Sequence, residues 1–291
     1  MEFDSEGRSS DIQDRRGEGF RPFRLGIGGV ILVSVISLLL GRNPLEVLGL
    51  IARQQQSAPR NPGSAPTRGP RNQEERTAER LVRQATTDIQ DFWQAALPQM
   101  TEGRRSYPRT QLVLFADETH SRCGAAQAET GPFYCPADQL VYIDLAFYAE
   151  LARRFRAPGN FAQAYVLAHE FGHHIQHSLG IEQRVRHAQQ LYRGRENQLN
   201  VLLELQADCF AGVWGASAAR RGLLREGDVE SGLHAAAAIG DDRIAQMSGR
   251  RVSPERFTHG SSAQRVEWFR RGMSQGHISA CDTFGNGTLA P

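Results

Sequence analysis

The feature that most constrains this chain is the run Ala168–His177, A-H-E-F-G-H-H-I-Q-H. It contains H-E-x-x-H at His169, Glu170 and His173. On a helix, residues four apart share a face one turn apart. Both imidazoles can then reach one Zn²⁺, with Glu170 placed as general base for the water the metal activates. A chance match in a chain of this composition is on the order of 1 in 100. The bland alternative is an amphipathic helix with solvated His and Glu.

Two histidines fall short of the three protein ligands of a catalytic zinc site. The chain supplies E-L-Q-A-D, with Glu204 and Asp208 four apart and roughly 30 residues beyond His173. Two antiparallel helices at that spacing each turn one face to a common metal. Glu204 is the expected third ligand. Asp208, one turn on, is expected to accept the outer N–H of a zinc-bound imidazole and fix its tautomer. These acids lie within V-L-L-E-L-Q-A-D-C-F-A-G, an otherwise apolar stretch, and buried carboxylates are costly unless paired or metal-bound. Ala207, Ala211, Gly212 and Gly215 allow the helices to approach closely.

The 291 residues suit one domain with extensions. A net charge of +2 gives no bulk electrostatic case for nucleic acid. All basic residues other than His are Arg, a bias with no functional reading. Residues 1–24 read as a disordered, cytoplasmic head. Leu25–Leu40 carries no charge and is near the minimum for a membrane-spanning helix. No A-x-A-like cleavage site follows it, so residues 25–41 read as an uncleaved anchor in the lipid bilayer. Arg15, Arg16, Arg21 and Arg24 precede it closely, which keeps the N-terminal side in the cytoplasm and sends the rest across the inner membrane. Residues 42–72, rich in Gln, Pro, Ser, Gly and Arg in their second half, read as a linker. The domain proper is then 73–291.

Within that domain, three- and four-residue apolar steps from Leu81 to Ala96 predict a helix stopped at Pro98. Gln111–Ala116 and Leu140–Ile143 read as strands. Cys123 and Cys135 flank the turn-rich loop between them and suggest a disulfide that pins it; the alternative is two free thiols. Oxidation of Cys209 with Cys281 would tie the tail to the ligand helix and contribute ~4 kcal/mol in the chain-entropy model.

H-E-F-G-H-H-I-Q followed by E-L-Q-A-D-C-F-A-G-V-W resembles the bacterial family of "putative neutral zinc metallopeptidases". So do G-P-F-Y-C-P-A-D-Q-L-V-Y-I-D and F-T-H-G-S-S-A-Q-R. The resemblance covers nearly the whole chain. More distantly, H-E-x-x-H with E-x-x-x-D is similar to thermolysin-type metalloproteases. The resemblance implies an α+β, zincin-like fold, mostly helical with a small sheet, here after one transmembrane helix. An edge strand of that sheet would hold the peptide substrate, with Leu140–Ile143 the candidate.

His259, in F-T-H-G-S-S, is a candidate donor to the developing oxyanion, against a capping or packing role. Tyr165 and His234 are weaker candidates. His174, His177 and His187 read as surface residues, and Asp241 and Asp242 as turn caps. The reading is a membrane-anchored zinc endopeptidase with one Zn²⁺ per chain, acting on a peptide or protein outside the cytoplasm. The alternative is a zinc-containing interaction protein that cleaves nothing; a cytosolic protease with reduced thiols is a third reading.

Overall fold

The computed structural model describes residues 1–3, 6–17, 72–127 and 131–285. Residues 1–15 and 69–291 make up one unit. Its elements are β1 (Ile12–Asp14), α1 (Gln73–Met100), β2 (Leu112–Phe115), β3 (Glu118–Ser121), β4 (Gly124–Gln127), β5 (Phe133–Cys135) and β6 (Leu140–Asp144), followed by seven more helices. These are α2 (Ala146–Arg153), α3 (Asn160–Ser178), α4 (Ile181–Leu191), α5 (Glu196–Arg220), α6 (Asp228–Ala238), α7 (Asp241–Met247) and α8 (Ser262–Gln275).

The apolar steps of α1 bury Leu81, Val82, Ala85, Ile89 and Trp93, and the Asn72 side chain caps its start by accepting from the Glu75 N–H at 2.8 Å. The helix runs two residues past Pro98. The main sheet has the order β1-β2-β6-β5. β1, β2 and β6 are parallel and β5 is antiparallel at the edge. L-V-L-F of β2 is apolar throughout because both faces are covered. Leu112 and Leu114 enter the main core with α1, α3 and α5. Val113 and Phe115 enter a second cluster with Ala126 of the β3–β4 hairpin and Tyr142.

The fold class is mostly helical with a small sheet, and three expectations are corrected. Residues 25–41 lie outside the described residues, and among the described residues no helix is long and apolar enough to cross a membrane. The pairing of β1 with β2 also argues against the anchor. Ile12 is registered on Leu112, so segments on either side of 25–41 share one sheet, which a single membrane crossing between them forbids. The head is likewise not disordered where it is described. Met1 and Ile12 are buried in the core, and the buried Asp11 accepts hydrogen bonds from Thr87 and Arg109 at 2.9 and 2.6 Å. Finally, Leu140–Ile143 lies in an interior strand, and the edge beside it is β5.

Both disulfides form: Cys123–Cys135, which ties the hairpin to β5, and Cys209–Cys281, which ties the tail to α5. The helices meet most closely where α5 crosses α8. A Cβ on Gly272 would run into the Cys209 carbonyl and the Gly212 Cα, backbone that cannot swing aside. Gly272→Ala should therefore destabilise the protein by about 1–3 kcal/mol or more in denaturant unfolding. Arg270→Ala on the exposed face of the same helix should stay within ~0.5 kcal/mol of wild type. Equal stabilities would show that the crossing can relax.

Candidate metal centre

The site rests on α3 and α5. Helical spacing sets His169 and His173 on one face of α3, and Glu204 and Asp208 on the facing side of α5. Gly172 lets the two helices close up: a Cβ there would sit 3.0 Å from the Ala207 backbone. One ligand atom from each of His169, His173 and Glu204 falls within 4.8 Å of the others. The Glu204 carboxylate lies 3.2 Å from His169 Nε2 and 3.5 Å from His173 Nε2.

The outer nitrogen of each imidazole is engaged. His169 Nδ1 is 2.8 Å from Asp208 Oδ1, and His173 Nδ1 is 2.9 Å from Gln176 Oε1. With Nδ1–H donating in both, each Nε2 is turned toward Glu204. Gln176 is fixed in turn by donating to the Leu203 carbonyl at 2.7 Å. Asp208 is fully buried and accepts from Arg265 Nε and Nη2, both at 2.9 Å, and from the Tyr165 hydroxyl. Two imidazole nitrogens, each ring held from behind, and one carboxylate fit the donor set of a zinc site with an open position.

The charges agree with the geometry. Burial pushes Asp208 up, but the Arg265 guanidinium and the His169 imidazole together outweigh it and hold the carboxyl below its usual range. Burial also opposes charge on His169, yet Asp208 lifts its pKa to about 10. Burial would raise Glu204, but His173 and His169 keep it well below the carboxylate range. A metal cation would take the place of the proton on His169.

Glu170 lies beside these ligands, 8% exposed, and burial raises its pKa. Glu170, His169, His173 and Glu204 open onto a cleft of about 650 Å³ whose wall includes Gly131–Tyr134 of the β5 edge and His259. His259 Nδ1 is held by Asp241 Oδ1 at 3.2 Å and by Thr258 Oγ1 at 2.9 Å. The Asp241 hydrogen bond raises its pKa.

Other candidates separate. Tyr165 is buried with its hydroxyl on Asp208, and His234 is exposed and does not line the cleft. Asp241 and Asp242 cap a loop, accepting from the N–H groups of Thr258, His259 and Ser262 at 2.7, 2.6 and 2.8 Å. His174 is not a surface residue: it is 1% exposed, with Nε2 2.7 Å from the Pro108 carbonyl and Nδ1 3.0 Å from the Tyr134 hydroxyl. Sequence reasoning missed Gln176 and Arg265. A helical i, i+3 step from His173 could have found Gln176. Arg265 ends the motif F-T-H-G-S-S-A-Q-R, but nothing local ties it to Asp208, 57 residues away.

Gln176→Ala should weaken zinc binding about 10–100-fold in a chelator competition; unchanged affinity would remove Gln176 from the support of His173. His174 yields a second expectation. Burial lowers its pKa to about 4 from an ordinary 6.5, so between those values the unfolded chain binds a proton that the folded one refuses. Its contribution is complete above pH 6.5 and is lost as pH falls toward 4. In the metal-free protein, His174→Gln should flatten the fall in unfolding free energy over that window, by up to about 3 kcal/mol. Parallel curves would refute the assignment.

The family described as "Putative neutral zinc metallopeptidase" matches this chain over residues 1–284. The chain is 44% identical over 294 residues to the uncharacterized protein YpfJ of Escherichia coli K12, covering 98% of this chain and 99% of YpfJ. It is 42% identical over 207 residues to the uncharacterized protein Rv2575 of Mycobacterium tuberculosis H37Rv, covering 67% of each. No solved structure matches. Matched by that family over residues 1–284 and by YpfJ over 98% of its length, the chain belongs to the family described as "Putative neutral zinc metallopeptidase".

Proposed function

We propose that this protein is a zinc-dependent peptidase, with His169, His173 and Glu204 as ligands of one zinc ion per chain. The observation that carries this reading is the convergence of the three donors, 4.8 Å or less apart, beside an acid that is not one of them, in the wall of a cleft. A zinc ion bound there supplies Lewis acidity, polarising a carbonyl and acidifying a water.

The protein's own residues do the rest. The β5 edge offers unpaired backbone groups to an extended peptide, antiparallel pairing being the more stable choice. Glu170 takes a proton from the attacking water and delivers it to the departing amine; its raised pKa suits both tasks. His259, oriented through Nδ1 by Asp241, presents Nε2 to the charge developing on the scissile carbonyl. Asp208 and Gln176 hold the ligands in register. The two disulfides support folding in an oxidising compartment.

Glu170→Gln keeps size and hydrogen bonding but removes basicity. In the full-length protein, zinc content should stay near wild type while peptide cleavage falls about 10²–10⁴-fold. Glu204→Gln should lose zinc and activity together. Full cleavage by Glu170→Gln would refute the mechanism. Wild type that binds zinc yet cleaves no peptide library would favour a non-catalytic binding protein.

A further inference from the structure

Four large apolar side chains stand exposed among the described residues: Leu191 at 53%, Tyr192 at 36%, Met247 at 37% and Val252 at 37%. They fall in only two segments, the turn from α4 into α5 and the stretch from the end of α7 to the 3-10 turn Pro254–Arg256. The two segments touch: Asn197 Nδ2 donates to the Glu255 carbonyl at 3.3 Å. The same segments carry Arg193, Arg195, Arg250, Arg251 and Arg256, all exposed. None of the five is in an ion pair recorded among the described residues, and the Arg195 guanidinium lies 5.9 Å from the Tyr192 ring centroid. The acids there, Glu196 and Glu255, accept local hydrogen bonds from Gly194 and Ser253. Five cations against two acids leave this face positive in a protein whose net charge is only +2.

The face runs up to the cleft. Asn200 lines the cleft one helical turn after Asn197, and His259 lines it three residues after Arg256. The β5 edge also gives a direction. Its Gly131 end lies by Phe147, while Tyr134 packs on His174 and His177, at the end of the cleft walled by Glu182 and Arg186 of α4. A peptide antiparallel to β5 enters at the α4 end and leaves past Phe147. The basic face therefore meets the chain on the N-terminal side of the scissile bond.

We propose that this face is a substrate-docking exosite for an acidic, aromatic-bearing polypeptide tract N-terminal to the cleavage site. The inference rests on the peptidase reading. Carboxylates in such a tract pair with the exposed guanidiniums, and its apolar side chains cover Leu191 and Val252. Arginine and tyrosine are the residue types that carry most binding energy at such contacts.

The test uses the full-length protein and a ten-residue tract of eight Glu and two Phe. Fluorescein-labelled tract should bind by anisotropy, weaken with salt, and bind roughly tenfold less to the variant Arg193→Glu, Arg250→Glu, Arg251→Glu. Fused to the N-terminus of a quenched peptide that the wild type cleaves, the tract should lower KM by a similar factor. The variant should lose that gain yet cleave the unextended peptide as wild type does, which also shows that it is folded. Equal KM with and without the tract, or equal acceleration when the tract is moved to the C-terminus, overturns the proposal. So does binding to phosphatidylglycerol vesicles that the tract does not displace, which would make the face a lipid surface. If no peptide is cleaved, the peptidase reading fails while anisotropy still decides whether the tract binds.

Discussion

A single carboxylate with no solvent exposure, Asp208, ties the helices of the candidate metal centre together. It sits on α5, receives two hydrogen bonds from Arg265 on α8, and meets His169 and Tyr165 on α3. Burying one charge without partners is prohibitive, and burying two is tolerable only when geometry and extra hydrogen bonds compensate. Here the pair fixes how three helices sit relative to one another. The close crossings at Gly172 and Gly272 are consequences of the same requirement, since larger residues would hold the charges apart. The candidate metal-binding side chains inherit their positions from this arrangement. His169 is oriented directly by Asp208, and Glu204 sits one turn away on the same helix.

That arrangement explains what the sequence discloses and what it hides. Periodicity within one helix is a local signal, so His169, Glu170 and His173 are legible at once, and Glu204 and Asp208 follow from an acid pair in an apolar run. Arg265 is hidden because its reason for being buried lies on another helix. His174 reads as polar and exposed, yet it is buried against the Pro108 carbonyl and Tyr134, contacts that span 66 and 40 residues.

The sheet leaves weaker local signals. Two strands were visible as apolar runs, but which of them lay at an edge depends on pairing. Three-residue β5, Phe133–Cys135, carries no periodic signal of its own, and its antiparallel place beside β6 displaces Leu140–Ile143 from the edge. The N-terminal head leaves the weakest signal of all. Composition marks its mixed charges as disordered, but Asp11 is neutralised by Arg109 and Ile12 is covered by the core. A polar stretch is ordered when partners far along the chain satisfy it, and composition contains no record of those partners.

The pairing of Ile12 with Leu112 spans one hundred residues. During synthesis at about 5–20 residues per second, the first strand waits many seconds before its neighbour exists. Parallel pairing over such a separation is entropically slow to close. Until it closes, Ile12 and the flank of β2 stay exposed together, and each is a template for another chain's strand. The growing polypeptide thus passes through an interval in which its sheet is unfinished at one side, and its yield depends on how that interval is guarded.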